Sequence, residues 1–366
     1  MIESSGGPLS GIRIVEFDAI GPVPLAAMIL ADMGADIVRL ARPAGAVTAW
    51  DDVGGSVLHR SRSVVHVDLK NPDDRAQVLD LIARADAVVE GFRPGVMERL
   101  GIGPDIGLAR NPKLIFARMT GWGQSGPLAL RAGHDINYIA ITGALHAIGK
   151  PDEPPTVPLN LVGDYGGGAM FLVAGVLAAL LAARTTGRGQ IVDVAMTEGA
   201  ATLLSMFHSY HATGSWQDQR EANLLDGGAP FYRCYACADG RHVAVGCLEP
   251  QFFAACLQGL GLDPQLFRQN DRATWPAMRA EFETTFKTRT RDAWAALFAE
   301  TDACVSPVLT LAEAPDHPHN RHRTSFVTRD GVSQAAPAPK FAPDASIVRE
   351  PSASDVATAV ARWNQR

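Results

Sequence analysis

The chain has no excess of positive charge, few cysteines and no apolar run that clearly crosses a bilayer, and each lack closes off a class of function. Lysine and arginine total 33 against 39 aspartate and glutamate, a formal net charge of -6. Nucleic-acid and membrane-surface proteins usually carry the opposite balance. A small anionic ligand stays compatible, because a pocket needs only local positive charge. Five cysteines in 366 residues are an odd number in a long chain. The start, Met1-Ile2-Glu3-Ser4-Ser5, has neither the basic residues nor the apolar stretch of a secretion signal. A reducing cytoplasm is the expectation. The end, Trp363-Asn364-Gln365-Arg366, shows no peroxisomal or retention tripeptide. The one candidate span, Ala169 to Ala183, ends at Arg184 and falls short of the roughly 18–20 residues a bilayer needs, so a buried core helix is expected.

What is present is an ordinary globular composition, 47% hydrophobic and 20% charged, long enough for two or three domains. In the first 200 residues β-branched runs alternate with helical stretches, the pattern of a parallel sheet flanked by helices. Strands are expected near 12–17, 36–40, 64–69, 87–90, 114–119 and 191–196, and crossover helices at 25–33, at 73–84 and after Gly168. The layout is Rossmann-like but lacks the dinucleotide fingerprint: Asp18-Ala19-Ile20-Gly21-Pro22-Val23-Pro24 follows the first strand where G-x-G-x-x-G would stand. A nicotinamide or flavin enzyme is thereby disfavoured. From Ala229 the texture changes to two strands around an Ala238-Asp239-Gly240-Arg241 turn, followed by amphipathic helices. The expected organisation is a large Rossmann-like domain over 1–198 completed by 335–366, a linker at 199–228, a small α+β domain at 229–311 and a return linker at 312–334.

Two stretches could carry chemistry. One is Gly133-His134-Asp135-Ile136-Asn137-Tyr138; the other is Asp164-Tyr165-Gly166-Gly167-Gly168, a carboxylate before three glycines that lead into a helix. Glycine lets backbone approach a ligand, and the free N–H groups of a helix start carry partial positive charge, a natural place for a thioester oxygen to gather negative charge. On the residues alone, plainer readings stand beside this one. His134 and Asp135 could be a structural hydrogen-bonded pair, Asp164 a helix cap, and the glycines a device for packing two helices closely.

The strings "GHDINYI", "NLVGDYGGG" and "ARMTGWGQSGP", with "LSGIRIVEFDAIGPVPLAAMILADMGADIVRL", "VVEGFRPGVMERLGIGP" and "LDGGAPFYRCYACADGRHVAVGCLEPQFF", resemble the α-methylacyl-CoA racemases, a branch of the family III CoA-transferase superfamily. The likeness runs in order from Leu9 to about Pro307. It implies an interlaced homodimer of α/β fold that needs no cofactor and acts on an acyl-CoA thioester, of which coenzyme A is part. His134 and Asp164 would face opposite sides of the α-carbon, one removing the proton and the other returning it to the far face. The oxyanion would rest on backbone N–H groups of Asp164, Tyr165 and Gly166. Asp135 and Glu249 would support His134.

Coenzyme A carries three phosphates, and Arg39, Arg42, Arg60, Arg62, Lys70, Arg93 and Arg99 stand near strand ends where such folds bind ligands. By resemblance Arg42, Lys70 and Arg99 are favoured. No metal is expected: Cys234-Tyr235-Ala236-Cys237 has no second pair, and His317, His319 and His322 fall in a polar linker. Two features depart from the family. The loop between Arg42 and Arg60 is longer than in close relatives, and the helix near 197–216 carries Met206 alone in its middle beside His208, Tyr210 and His211, which suits a different or smaller acyl group. The alternatives are a CoA-transferase with Asp164 as nucleophile and a catalytically silent acyl-CoA binding protein.

Overall fold

The computed structural model describes residues 6–43, 54–342, 346 and 348–365; the middle of the long loop after Arg42 lies outside them. By its contacts the chain divides into two compact units, one of 1–144, 158–205 and 324–366, the other of 145–157 and 206–323. The segment 145–157 therefore groups with the second unit, although it falls within the first 198 residues.

In chain order the first unit opens with β1 (Arg13–Phe17), α1 (Pro22–Asp32), β2 (Asp36–Ala41), α2 (Gly55–His59), β3 (Ser63–His66), α3 (Pro72–Ile82) and β4 (Ala87–Glu90). It continues with α4 (Val96–Arg99), α5 (Pro104–Arg110), β5 (Ile115–Thr120) and α6 (Asp135–Ala140). A π-helix (Leu161–Ala169) then runs into α7 (Met170–Thr186), followed by β6 (Gln190–Ala195) and α8 (Met196–Leu203). The helix α9 (Ser205–Ala212) leads out of it. All strand pairings in the main sheet are parallel, with β3, β2, β1, β4, β5 and β6 side by side and a short strand, Ser352–Ser354, added beyond β3.

Alternation along β1 explains why both faces of this sheet are covered. Ile14 clusters with Ile37, Ala87 and Ile115 and with residues of α1 and α7, while Val15 and Phe17 join Val38, Val88 and Phe116 with residues of α3. Each such side chain, fully buried, contributes about 1.5–3 kcal/mol. The continuous helix Leu161–Thr186 is long and apolar enough, by composition, to cross a membrane. Its Leu172, Val176 and Ala179 are buried in the core cluster that includes β1, β4 and β5 residues, as expected for the stretch after Ala169.

The second unit contains β7 (Tyr232–Ala236), β8 (His242–Gly246), α10 (Pro250–Leu260), α11 (Trp275–Phe286), α12 (Arg291–Phe298) and β9 (Val305–Pro307). Its strands form an antiparallel sheet in the order β7-β8-β9. Tyr235, Val243 and Val245 on one sheet face share a core with Phe253, Phe282 and Trp294 of the helices.

The return segment is more ordered than a linker. It holds α13 (Pro318–His322) and a hairpin of β10 (Phe326–Arg329) and β11 (Val332–Ala335), turning at Asp330-Gly331, both with positive φ. Arg60 ties β11 to the first unit through Gln334 Oε1 and the Ala335 carbonyl, each at 2.8 Å. The last helix, α14 (Val356–Asn364), is capped by Asp355 and anchored by Trp363 Nε1, which donates to Asp36 at 3.1 Å.

Candidate active site

The strand order reverses between β1 and β4, since β1 is followed on one side by β2 and flanked on the other by β4. Open α/β sheets bind ligands outside the carboxyl ends of the strands at such a point. A cavity of about 550 Å³ lies there, walled by the turn after β1 (Asp18 to Val23), the turn after β4 (Gly91 to Pro94), the end of β5 with Gly121 and Trp122, and by His134 and Asp164. The topology thus brings together two residues thirty positions apart in sequence.

His134 is exposed at the N-cap of α6, where its backbone N–H donates to Asn137 Oδ1 at 3.1 Å. Asp164 sits inside the π-helix rather than at a helix start. Glycines allow the close packing that surrounds it: a Cβ at Gly167 would meet the backbone of Ala200 at 2.6 Å. That is the plain reading of Gly167, and the structure takes it. Gly21, with φ +82°, lets the turn after β1 approach until a Cβ there would lie 3.0 Å from Asp164 Oδ2. The same oxygen accepts from Asn160 Nδ2 at 3.3 Å. Burial pushes the Asp164 carboxyl above the ordinary carboxylate range; the Asn160 bond and the charge of His134 pull it back, and Asp135 adds to the rise. A carboxyl raised in this way holds a proton more readily than one in water.

Three expectations need correction. Asp135 is buried, 6% exposed, and its Oδ2 accepts from the Asp164 backbone N–H at 2.7 Å. That side chain, at the first position of α6, reaches the π-helix and not the imidazole, and Gly163 leaves it room there. The amides expected to hold an oxyanion are already engaged. The Asp164 amide is taken by Asp135, the Tyr165 amide donates to the Asn160 carbonyl at 3.2 Å, and the same five-residue pattern takes the Gly166 amide to Leu161. Among the proposed phosphate ligands, Arg39, Arg60 and Arg62 are buried and committed. Arg39 pairs with Asp18 at 2.5 Å, Arg60 with Asp32 at 2.5 Å, and Arg62 with both oxygens of Glu16 at 3.0 Å. A buried guanidinium already paired with a carboxylate is poorly placed to meet a phosphate as well.

Arg42 and Arg93 line the cavity and are exposed, as a phosphate ligand must be, and Lys70 and Arg99 are exposed outside its lining. The turn that presents Arg93 is fixed from beneath. Buried Glu90 accepts the Phe92 N–H at 2.6 Å and the Arg118 Nε at 2.8 Å, and Arg118 reaches on to Glu98 at 2.6 Å. Glu249 belongs to the second unit, at the N-cap of α10.

Sequence reasoning passed over Arg131, Trp122 and Asn160. Arg131 and Trp122 line the cavity, but nothing in "LALRAGHD" marks that arginine as different from a surface one. Asn160 did leave a signal, since it stands four residues before Asp164, the spacing of neighbours on one helix face.

A profile of CoA-transferase family III matches residues 9–353. The chain is 45% identical over 332 residues to the α-methylacyl-CoA racemase of Mus musculus, an overlap of 90% of this chain and 85% of that one. It is 44% identical over 323 residues to the α-methylacyl-CoA racemase of Homo sapiens, covering 88% and 83%. Among solved structures, a CAIB/BAIF family protein from Brucella suis shares the fold with a TM-score of 0.82, at 24% identity, over 98% of this chain and 99% of that one.

Proposed function

Because the chain belongs to CoA-transferase family III, we propose that this enzyme inverts the C2 centre of 2-methylacyl-CoA thioesters by moving one proton through an enolate. One observation carries the reading: His134 and Asp164, brought from separate elements, line a single cavity at the switch point of the sheet. The similarity to two α-methylacyl-CoA racemases supports it.

In the proposed step one of the pair takes the proton at C2. The C–H electrons become the C1–C2 double bond of an enolate, and the thioester oxygen takes the negative charge. The other group, protonated at the start, gives its proton to the opposite face. The roles exchange for the other enantiomer. Burial of Asp164 favours its protonated form, which suits a group that must arrive loaded in one direction. With the Asp164, Tyr165 and Gly166 amides engaged, we assign the oxyanion to the first-turn amides of α6, at Asp135 and Ile136, which have no helix carbonyl to reach. Arg42 and Arg93, with Lys70 and Arg99 farther out, are assigned to the phosphates of coenzyme A. We further propose an interlaced homodimer, Glu249 as a support for His134, and a reducing cytoplasmic setting suited to five free thiols. A monomer in ultracentrifugation would contradict the assembly.

The competing activity is acyl transfer, with Asp164 forming an anhydride. Deuterium wash-in at C2 in heavy water, with no free acid present, separates the two. Racemisation exchanges C2 without an acceptor; strict dependence on a carboxylic acid acceptor would overturn the proposal.

A further inference from the structure

The loop that delivers His134 is held in an unusual way. Two aromatic residues of the cavity wall each spend their only polar hydrogen on a carbonyl of this loop. Tyr138 Oη donates to the carbonyl of Gly133, and Trp122 Nε1 donates to the carbonyl of Arg131 at 3.2 Å. The two rings pack edge to face against each other, with centroids 4.8 Å apart and planes at 85°. Room for the Tyr138 ring depends on Gly121 and Gly133, where any Cβ would overlap it. Tyr138 is 8% exposed, so its hydroxyl has no ready exchange of partner with water. Burial first, and the charge of Asp164 second, push the phenol up to about 12, so it keeps the proton it donates.

We propose that Tyr138 and Trp122 are positioning residues that fix His134 against the reacting carbon by gripping the backbone one and three residues before it. The inference rests on the racemase reading of the site and adds to it a reason for the placement of the imidazole. His134 is exposed, and its own amide donates to the Asn137 side chain. A base on an exposed loop must be restrained from the backbone, because acid–base transfer fails when the geometry slips by an ångström. The T-shaped contact makes the two grips one unit: the ring that holds Gly133 rests on the ring that holds Arg131.

The test uses Tyr138→Phe, which keeps the ring and deletes its donor, and Trp122→Phe, which keeps an aromatic ring, though a smaller one, and deletes its donor. The rate of C2 exchange is measured across substrate concentration, and amide hydrogen exchange of the 129–137 peptide is followed by mass spectrometry. Tyr138→Phe is expected to lower kcat about ten- to a hundredfold with KM within about twofold, and to speed amide exchange in the peptide about fivefold or more. Trp122→Phe should do the same more weakly, its bond lying at an exposed edge. Wild-type kcat and amide exchange in Tyr138→Phe would overturn the proposal. So would a fall in kcat matched by a lowered urea midpoint and faster exchange throughout the chain, which marks a general loss of structure. If the wild-type enzyme exchanged C2 of no thioester, the racemase reading would fall, while the amide exchange of the two variants would still decide whether these side chains hold the loop.

Discussion

Replacing Arg62 by methionine should destabilise the fold and leave coenzyme A binding by the folded protein unchanged. Arg62 and Glu16 have fully buried side chains, and Arg62 Nη1 donates to both Glu16 oxygens at 3.0 Å and to the Pro24 carbonyl at 3.1 Å. Arg62→Met leaves the buried carboxylate without its hydrogen-bonded partner and with only the charge of Arg39 opposing its burial, and breaking such a pair costs about 3–5 kcal/mol. Against a total stability of about 5–15 kcal/mol this is about a fifth or more, enough to lower the urea midpoint substantially. The deficit depends on pH in a definite direction. Burial already holds the Glu16 carboxyl above its ordinary value, with Arg62 the first influence opposing the rise. Removing Arg62 raises it further. A carboxyl raised on folding favours the folded state below its unfolded value, and that advantage is lost as pH rises through the folded value. The variant should therefore recover stability as pH falls toward the ordinary carboxylate range. The double variant Glu16→Leu with Arg62→Met should regain most of the loss, because an apolar pair of similar volume replaces a buried ion pair at little cost. Equilibrium urea titrations at three pH values give all of these numbers. If Arg62→Met folded with a normal midpoint and showed only a raised KM for CoA thioesters, the assignment of Arg62 to the core would be wrong and the original phosphate role would stand.

Other expectations follow from the same geometry. Asp164→Asn should lower C2 exchange about 10²–10⁴-fold yet melt above wild type near neutral pH, since it removes a carboxylate whose ionisation burial opposes; a lower melting temperature would contradict this. His59, pushed down to about 3 by burial and then by Arg39 and Arg62, stays neutral in the fold, so its contribution is present above its unfolded value and lost on acidification. Relative to His59→Asn, wild type should lose up to about 1.4 kcal/mol per pH unit below about pH 6.5; a gap between the two that does not move with pH in urea titrations would refute it. Arg42→Ala and Arg93→Ala should raise KM for CoA thioesters several-fold with kcat little changed, measured by steady-state kinetics at fixed salt. Asp135→Asn, which keeps an oxygen for the Asp164 amide, should retain far more activity than Asp135→Ala; equal losses in the two variants would restore a direct charge effect on His134.

The parallel sheet was legible because its central strands are buried on both faces and read as short β-branched runs, most ending within a residue of the expected place, as with Arg13–Phe17 and Ala87–Glu90, while β3 stops at His66, three residues short of it. The hairpin at 326–335 was not, since Thr-Arg-Asp-Gly-Val among Pro and His residues gives little alternation, and the Asp330-Gly331 turn signal was lost in a segment taken for linker. The arginines illustrate a deeper limit. Arg60 and Arg62 stand two apart before a strand, and composition alone makes them look like a phosphate clamp. What commits them is the presence of Asp32 and Glu16 on other elements, inside the core, and that pairing is a property of the packing and not of the local string. Arg42, on the same sequence argument, faces the cavity.

The π-helix matters most for the same reason. A stretch ending in three glycines reads as the start of a helix, which would put Asp164 at its first turn with amides to spare. Closing each turn over five residues instead starts the helix earlier, at Leu161, and uses the amides after Asp164 within it. The Asp164 amide is left to find another acceptor and finds Asp135. Since Asp135 follows His134 directly, that single 2.7 Å bond ties the side chain beside His134 to the backbone of Asp164, the two groups proposed to move the proton. The two elements that carry the pair, α6 and the π-helix, then cannot drift apart without breaking a bond between a buried carboxylate and an amide, which is among the stronger hydrogen bonds a protein makes. Spacing between an acid and a base across one carbon atom has to be constant in both directions of a racemisation, because each group must serve as donor and as acceptor. On the proposed mechanism, the bond from the Asp164 amide to the carboxylate beside His134 supplies that constancy without occupying the imidazole or the Asp164 carboxyl.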